Sequence, residues 1–460
     1  MIDHIHQSMA QSEESDVTDK VIRDVEEHLE QGKFPLQFYN DADVHELELD
    51  RIFGEKWIFV GHESEIPEPG DYARRYLGND PFIFVRSEDG EINLLFDACR
   101  HHGAQLCRAE QGNTAHFRCP YHGWTYKNDG DLIGVPQKSA GFKNLDRDEN
   151  GLFHAPRLET YNGLVFGSLA QDGPSLEEYL GGFKWYLDIQ FDMVDGGMEV
   201  MGEPHRWTVD ANWKTIAENF NGDSYHTAWA HGSILDLELG GEETVGGAGT
   251  GESIDRHVYV DGHTLSTRML DEPVHLTYPD SVESLLTGDG LSDEQYDIGK
   301  RALQFVGAVF PNFGFIHFGN TTDDSAKEVC PFFSIRKWQP VGPDEMQIWS
   351  WALVPKEAPE EFKERMYKMY TASFGPSGNF EQDDVNLWEG ITDSAQAQVA
   401  RSENYALNYQ MGMEWMTDVD IDTEWPGPGT AYTENLQEGG MRQFHEQWYE
   451  SIVDGEGSER

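Results

Sequence analysis

Two short loops, each carrying a cysteine and a histidine, constrain this chain more than any other feature. They read Cys99-Arg100-His101-His102-Gly103 and Cys119-Pro120-Tyr121-His122-Gly123-Trp124. Each supplies one thiolate and one imidazole, so the fold must bring two turns to face one another across a shared group. A sulfide-bridged iron pair can be held this way, with both cysteines on one iron and both histidines on the other, and neutral imidazoles in place of thiolates raise its potential. A Cys2His2 zinc site uses the same ligand set. Zinc fingers pair Cys with Cys and His with His at their two ends, whereas here the two types alternate, glycine follows the histidines and Pro120 shapes the second loop. That context favours the [2Fe–2S] reading. Cys107, between the loops, and Cys330, in an apolar run, read as small buried hydrophobes.

The chain carries 84 acidic and 33 basic residues, a formal charge of −51, spread along its length. Such a field repels phosphates and excludes nucleic acid as a partner. It resembles the surfaces of proteins from salt-accumulating halophiles, where concentrated salt screens self-repulsion over a few ångströms. Aromatic residues, at 12%, are more than a disordered chain could carry. The first residues lack the basic and apolar segments of a signal peptide, which predicts a cytoplasmic protein. The longest apolar stretch, Phe305 to Phe318, is interrupted by Gly307, Pro311, Asn312 and His317 and is too short to span a bilayer.

Three regions follow from texture. Residues 1–40 form an acidic, partly helical lead-in, with Val21, Val25 and Leu29 at helical spacing, expected to pack on the catalytic domain. Residues 41–160 carry short β-type runs such as Phe82–Val85 and Ile92–Phe96, separated by turn residues, and predict a small all-β domain. Residues 161–460 mix strands and helices. Strands are predicted at Leu164–Leu169, Trp207–Val209, Val306–Phe318, Phe332–Trp338 and Ile348–Val354. A helix is predicted from Asn212 to Trp229. Another starts near Pro359, with Phe362, Met366, Met369, Tyr370 and Phe374 on one face, and stops at Gly375. The fold class is therefore α+β.

In the Asn212–Trp229 segment, helical spacing sets Asn219, Asp223 and His226 on one face. His226 and His231, five residues apart, can share a metal only if the helix bends or ends between them. Two histidines with one carboxylate make the facial triad of non-haem Fe(II) oxygenases, so a third ligand is required.

The cysteine–histidine segment resembles the Rieske motif of ring-hydroxylating oxygenases, and Glu218-Asn219 through Asp223, Tyr225, His226 and His231 resembles the iron-site signature of their catalytic alpha subunits, naphthalene/biphenyl dioxygenase branch. The likeness extends from about Trp57 to an Arg442, Phe444 and Trp448 ending. It implies that Cys99, His101, Cys119 and His122 hold the cluster, with His102 standing where the family carries arginine. It implies that His226 and His231 bind a mononuclear Fe(II), together with a carboxylate from Phe380-Glu381-Gln382-Asp383-Asp384. Asp384 is the expected ligand and Asp383 its competitor. Catalytic roles are implied for Asp223, as a bridge from His226 to a Rieske histidine of a neighbouring subunit, and for Asn219.

The resemblance further implies a Rieske β-sandwich domain inserted into a catalytic domain with a curved antiparallel sheet flanked by helices, helix-grip-like in form. The implied activity is cis-dihydroxylation of an aromatic ring, with electrons relayed from NAD(P)H through a separate reductase or ferredoxin. No nicotinamide-binding glycine fingerprint follows a strand here, which agrees with a separate reductase. A homotrimer, or an α3β3 assembly with a small beta subunit, is expected. Phe220, Asn221, Phe313, Phe315 and Phe380 are candidate pocket residues, Asn221 hinting at a polar substituent on the substrate. A Rieske monooxygenase or demethylase is the alternative within the class, and an electron carrier or zinc module the alternative outside it.

Overall fold

Between residues 53 and 176, glycine, proline and aspartate recur too often for helices and suit short strands joined by tight turns. A computed structural model describes residues 2–236, 253–320, 329–413, 421–433 and 437–454, with side chains from residue 16 onward. One unit is contiguous over Phe53–Leu176, and the other is built from Met1–Ile52 and Glu177–Arg460. The first contains β1 (Ile58–His62), β2 (Asp71–Leu77), β3 (Asp80–Arg86), β4 (Ile92–Phe96), β5 (Gln111–Asn113), β6 (His116–Arg118), β7 (Thr125–Lys127), β8 (Leu132–Gly134), β9 (Arg157–Tyr161) and β10 (Leu164–Ser168). They form antiparallel sheets in the orders β4-β3-β2-β5, β6-β7-β8 and β9-β10-β1. Ile83, Val85, Leu95, Phe117, Trp124 and Tyr126 form a core that includes Cys107. The two cysteine–histidine loops leave this core between β4 and β5 and between β6 and β7.

In the other unit the alternation of side chains builds a nine-stranded open antiparallel sheet. Its strands are β11 (Met198–Val200), β12 (His205–Val209), β13 (Ile254–Val260), β14 (His263–Met269), β15 (Ala302–Val309), β16 (Phe313–Asn320), β17 (Cys330–Gly342), β18 (Glu345–Pro355) and β19 (Thr430–Tyr432). The order is β11-β18-β17-β16-β15-β14-β13-β19, with β12 also paired to β18. The single strand predicted over Val306–Phe318 is instead two. Pro311, which has no N–H to give a ladder, sits in the turn between β15 and β16.

The helices that bear on the site and its supports are α1 (Ile2–Leu29), α2 (Ala42–Glu48), α3 (Trp213–Phe220), α4 (Thr227–Ala230), α5 (Glu360–Phe374), α6 (Glu381–Ala395) and α7 (Gly439–Asp454). Val21 and Val25 of α1 are fully buried, and the predicted apolar face of α5 is buried. At the junction of α2, α3 and α7, the Glu48 carboxylate accepts from Lys214 Nζ at 2.5 Å, Trp213 Nε1 at 2.7 Å and Trp448 Nε1 at 2.8 Å. Every polar atom is paired, which is what makes a charge tolerable at that depth.

Candidate metal centres

The helix predicted from Asn212 to Trp229 ends at Phe220. Asn221 caps it, its backbone N–H reaching the Ala217 and Glu218 carbonyls and its side-chain amide donating to the Ala217 carbonyl at 2.7 Å. The chain then turns through Gly222, at φ +100°, a conformation that costs glycine little. The break changes the geometry of the histidines: His226 stands at the N-terminal end of the one-turn helix α4 and His231 at its C-terminal end. Two imidazoles that a straight helix would splay apart lie with ring centroids 5.2 Å apart.

Asp384, on the first turn of α6, completes the group: one ligand atom each from His226, His231 and Asp384 lies within 4.8 Å of the others. Asp384 Oδ1 is buried, has no hydrogen-bond donor among the described residues, and stands 3.6 Å from His226 Nε2 and 3.4 Å from His231 Nε2. The far nitrogen of each ring is already committed. His226 Nδ1 lies 2.5 Å from the Asp223 carbonyl oxygen and 3.3 Å from its carboxylate, and His231 Nδ1 lies 3.4 Å from Asp383 Oδ2. Acceptors on Nδ1 fix the tautomer and aim the Nε2 lone pairs at one point, the second-sphere pattern of metal-binding histidines. The adjacent carboxylates thus have different geometry: Asp384 faces both Nε2 atoms, and Asp383 backs one ring.

Proton affinities in the cluster are pushed apart. Burial would lower the His226 imidazole, but the hydrogen bond and charge of Asp223, with Asp384, carry it up to about 9. Burial raises Asp384 to about 7, and burial reinforced by His226 lowers His231 to about 4. Divergence of this kind marks functional clusters, and a divalent cation, which needs a carboxylate and neutral imidazoles, would displace the shared protons. The donor set, two nitrogens and one oxygen, fits Fe(II).

These residues open into a cavity of about 100 Å³. Phe220, Val306, Ile316, Phe318, Phe374 and Phe380 supply an apolar wall, and Asn219 lines the cavity with its amide 3.5 Å from His226 Nε2. Of the candidate pocket residues, Phe220 and Phe380 line it. Asn221 does not, because its amide is spent on Ala217 and its Oδ1 accepts from Thr264 Oγ1 at 2.7 Å. Phe313 and Phe315 do not either: they alternate with the cavity-facing Ile316 and Phe318 on β16 and point to the opposite side of the sheet. Ser266, Arg268 and Gln304 also line the cavity and were missed. Alternation along His263–Met269 was the available signal, but that strand was not recognised.

In the first unit the two loops repeat one backbone design. The Gly103 N–H bonds the Cys99 carbonyl at 2.8 Å and the Gly123 N–H the Cys119 carbonyl at 3.0 Å, with φ of +74° and +72°. Cys99 and Cys119 are buried. His101 and His122 have ring centroids 4.7 Å apart, and His101 stacks on Trp124 at 4.8 Å. His101 Nδ1 is buried with no partner among the described residues, as a nitrogen reserved for a metal would be. His102, exposed beside them, groups with His101 and His122. Tyr126 Oη lies 3.4 Å from Cys99 Sγ and accepts the Arg100 N–H at 3.1 Å, a contact that sequence gave no means of finding.

A β-rich unit with paired Cys/His loops and, in the same chain, an open antiparallel sheet unit carrying a His–His–Asp group define a Rieske protein with a second candidate metal centre. Residues 56–161 match the Rieske [2Fe-2S] domain and residues 176–455 match the family "Ring hydroxylating alpha subunit (catalytic domain)". The chain belongs to this family and is an oxygenase that uses a Rieske cluster, a mononuclear iron and electrons from a partner protein. It is 34% identical to the alpha subunit of N,N-dimethyl phenylurea N-demethylase from a Sphingobium species, covering 93% of each chain. It is 33% identical to the biphenyl 2,3-dioxygenase alpha subunit of Rhodococcus jostii, covering 91% of this chain and 88% of that one. Naphthalene 1,2-dioxygenase from a Rhodococcus species, solved with indole bound, superposes with a TM-score of 0.86 at 41% identity, covering 93% of this chain and 98% of that one. No helix among the described residues is long and apolar enough to cross a membrane.

Proposed function

We propose that this chain is the terminal oxygenase of a system that adds both atoms of O2 to an aromatic ring as a cis-dihydrodiol. The observation that carries the reading is the buried Asp384 Oδ1, without a hydrogen-bond donor among the described residues, converging with two Nε2 atoms in an aromatic-walled cavity. His226, His231 and Asp384 would hold Fe(II), and Cys99, His101, Cys119 and His122 the [2Fe–2S] cluster. When bound, the iron supplies dioxygen activation and the cluster supplies single electrons. The chain's own residues do the rest. Asp223 and Asp383 hold the two imidazoles in orientation. Phe380, edge-on to His231 at 5.0 Å, and Phe318 give a ring an apolar surface beside the metal and exclude water. Asn219 offers an amide donor at the open side of His226.

Electrons would come from NAD(P)H through a reductase, with or without a ferredoxin, and Asp223 would link His226 to a Rieske histidine of a neighbouring subunit in a closed ring, a homotrimer or α3β3. The acidic surface supports a cytoplasmic protein of a salt-accumulating cell, for which thermal stability would rise between 0.1 and 3 M KCl. The 34% identity to an N-demethylase alpha subunit supports a second reading, removal of a methyl group after monooxygenation. The two separate on one experiment. Anaerobically purified protein, assayed for iron and sulfide, is reduced and given O2 with naphthalene or with an N-methylated aniline. A dihydrodiol supports dioxygenation, formaldehyde supports demethylation, and protein holding zinc in place of iron refutes both.

A further inference from the structure

Across the sheet beneath the cavity the register sets side chains in rows. Arg268 of β14 lies opposite Gln304 of β15, which lies opposite Phe318 of β16; the next row is Ser266, Val306 and Ile316. All six line the cavity. The β16 end of each row is apolar, and there Phe318 meets Phe380 at 6.5 Å, edge-on, while Phe380 contacts His231. The β14 end is polar. An aromatic ring fits the first end, beside the metal group, and any substituent it carries toward the second meets hydrogen-bonding groups.

Those groups are only partly spent on the protein. The Gln304 side chain makes no hydrogen bond among the described residues, although its backbone carbonyl accepts from Thr267 Oγ1 at 3.1 Å. Arg268 gives Nε and Nη2 to Asp255, at 3.0 and 3.5 Å, and its Nη1 has no partner among the described residues. A polar pair left open on the floor of a largely apolar cavity is suited to a ligand atom. Asp255 matches the Arg268 charge, so the corner offers donors without net charge.

Resting on the reading of this cavity as the oxygenation site, we infer that Arg268 and Gln304 form a specificity subsite for a neutral hydrogen-bond acceptor on the aromatic substrate, such as the carbonyl oxygen of an aryl ketone, amide or urea. An anionic substituent gains little, since Asp255 already neutralises the guanidinium and the chain is strongly acidic.

The test is calorimetric binding of three probes to anaerobic protein with both metal centres loaded and its iron assayed: acetophenone, its near-isostere α-methylstyrene, and benzoate. Acetophenone is expected to bind about 3- to 10-fold more tightly than α-methylstyrene, the worth of one net hydrogen bond, and benzoate most weakly. Gln304→Leu breaks no protein hydrogen bond made by the side chain, and it should shrink the acetophenone preference at least twofold while leaving α-methylstyrene unchanged or tighter. Equal binding of the isosteres by iron-replete protein, or a preference that Gln304→Leu leaves intact, overturns the subsite alone. Benzoate binding most tightly overturns its neutrality. Iron-replete protein that binds none of the three overturns both the subsite and the aromatic-oxygenation reading beneath it.

Discussion

Glu48→Gln removes the charge from a carboxylate whose side chain is 0% exposed and which is paired with the Lys214 ammonium, also 0% exposed. Among the described residues the ammonium then lies buried without a counter-ion, facing the rings of Tyr39, Trp213 and Trp448 at 5.6 to 5.9 Å. Breaking a buried pair from one side costs about 3–5 kcal/mol. The amide has one acceptor oxygen where the carboxylate offered two to three donors, so one indole N–H is also weakened, adding about 1 kcal/mol. The sum corresponds to a fall of roughly 5–10 °C in Tm for a unit of this size. Differential scanning calorimetry, with the visible absorption of the cluster followed in parallel, measures it. The double substitution Glu48→Gln with Lys214→Met removes both charges while keeping an acceptor for the two indole N–H groups, and it should recover most of the loss. A single variant within 1 °C of the parent, or a double variant as damaged as the single, would refute the assignment of the cost to an orphaned charge.

Asp384→Ala should lower the iron content by one per chain while the cluster spectrum persists. Asp383→Asn should keep the stoichiometry but weaken iron binding about 10- to 100-fold, read by chelator competition; the opposite ranking would exchange the two roles. Tyr126→Phe removes the hydroxyl beside Cys99 Sγ and should lower the cluster's reduction potential in protein-film voltammetry, because hydrogen bonds to the sulfurs favour the reduced cluster; an unchanged potential would leave Tyr126 only a packing role. Burial depresses His62 and His263 to about 4 and His317 to about 3. These folded-state values lie below the unfolded one, so the unfolded chain gains protons first and stability is lost as pH falls from about 6.5 towards 4, by up to about 3 kcal/mol per group. His317→Gln should flatten part of that fall in Tm measured from pH 7.5 to 4.5, and an identical slope would show that His317 contributes nothing to it.

Some of this was local, and sequence alone carried it. A cysteine and a histidine two or three residues apart on a glycine-closed loop form half a binding site wherever the loop is placed, so the pairs at Cys99 and Cys119 point to a two-loop cluster without knowledge of the rest. The β runs of residues 57–96, the α5 face and its stop at Gly375 followed from periodicity and turn chemistry in the same way. The helix predicted through Trp229 failed because periodicity does not register a cap: Asn221 and Gly222 end α3 and swing His226 back towards His231. Asp383 and Asp384 are equivalent as text. On α6 they point about 100° apart, and only the packing of α6 settles that Asp384 turns inward to both Nε2 atoms while Asp383 backs one ring. Phe313 and Phe315 against Ile316 and Phe318 is a question of strand parity, answered by which face of the sheet the helices cover. Arg268 and Gln304, 36 residues apart in the chain, meet because β14 pairs with β15 in one register. Sequence alone put forward the groups that are this protein's candidates for binding metals. The tertiary structure decided which way each one faces, because facing is set by partners far away in the chain, and direction makes one carboxylate a ligand candidate and its neighbour a support.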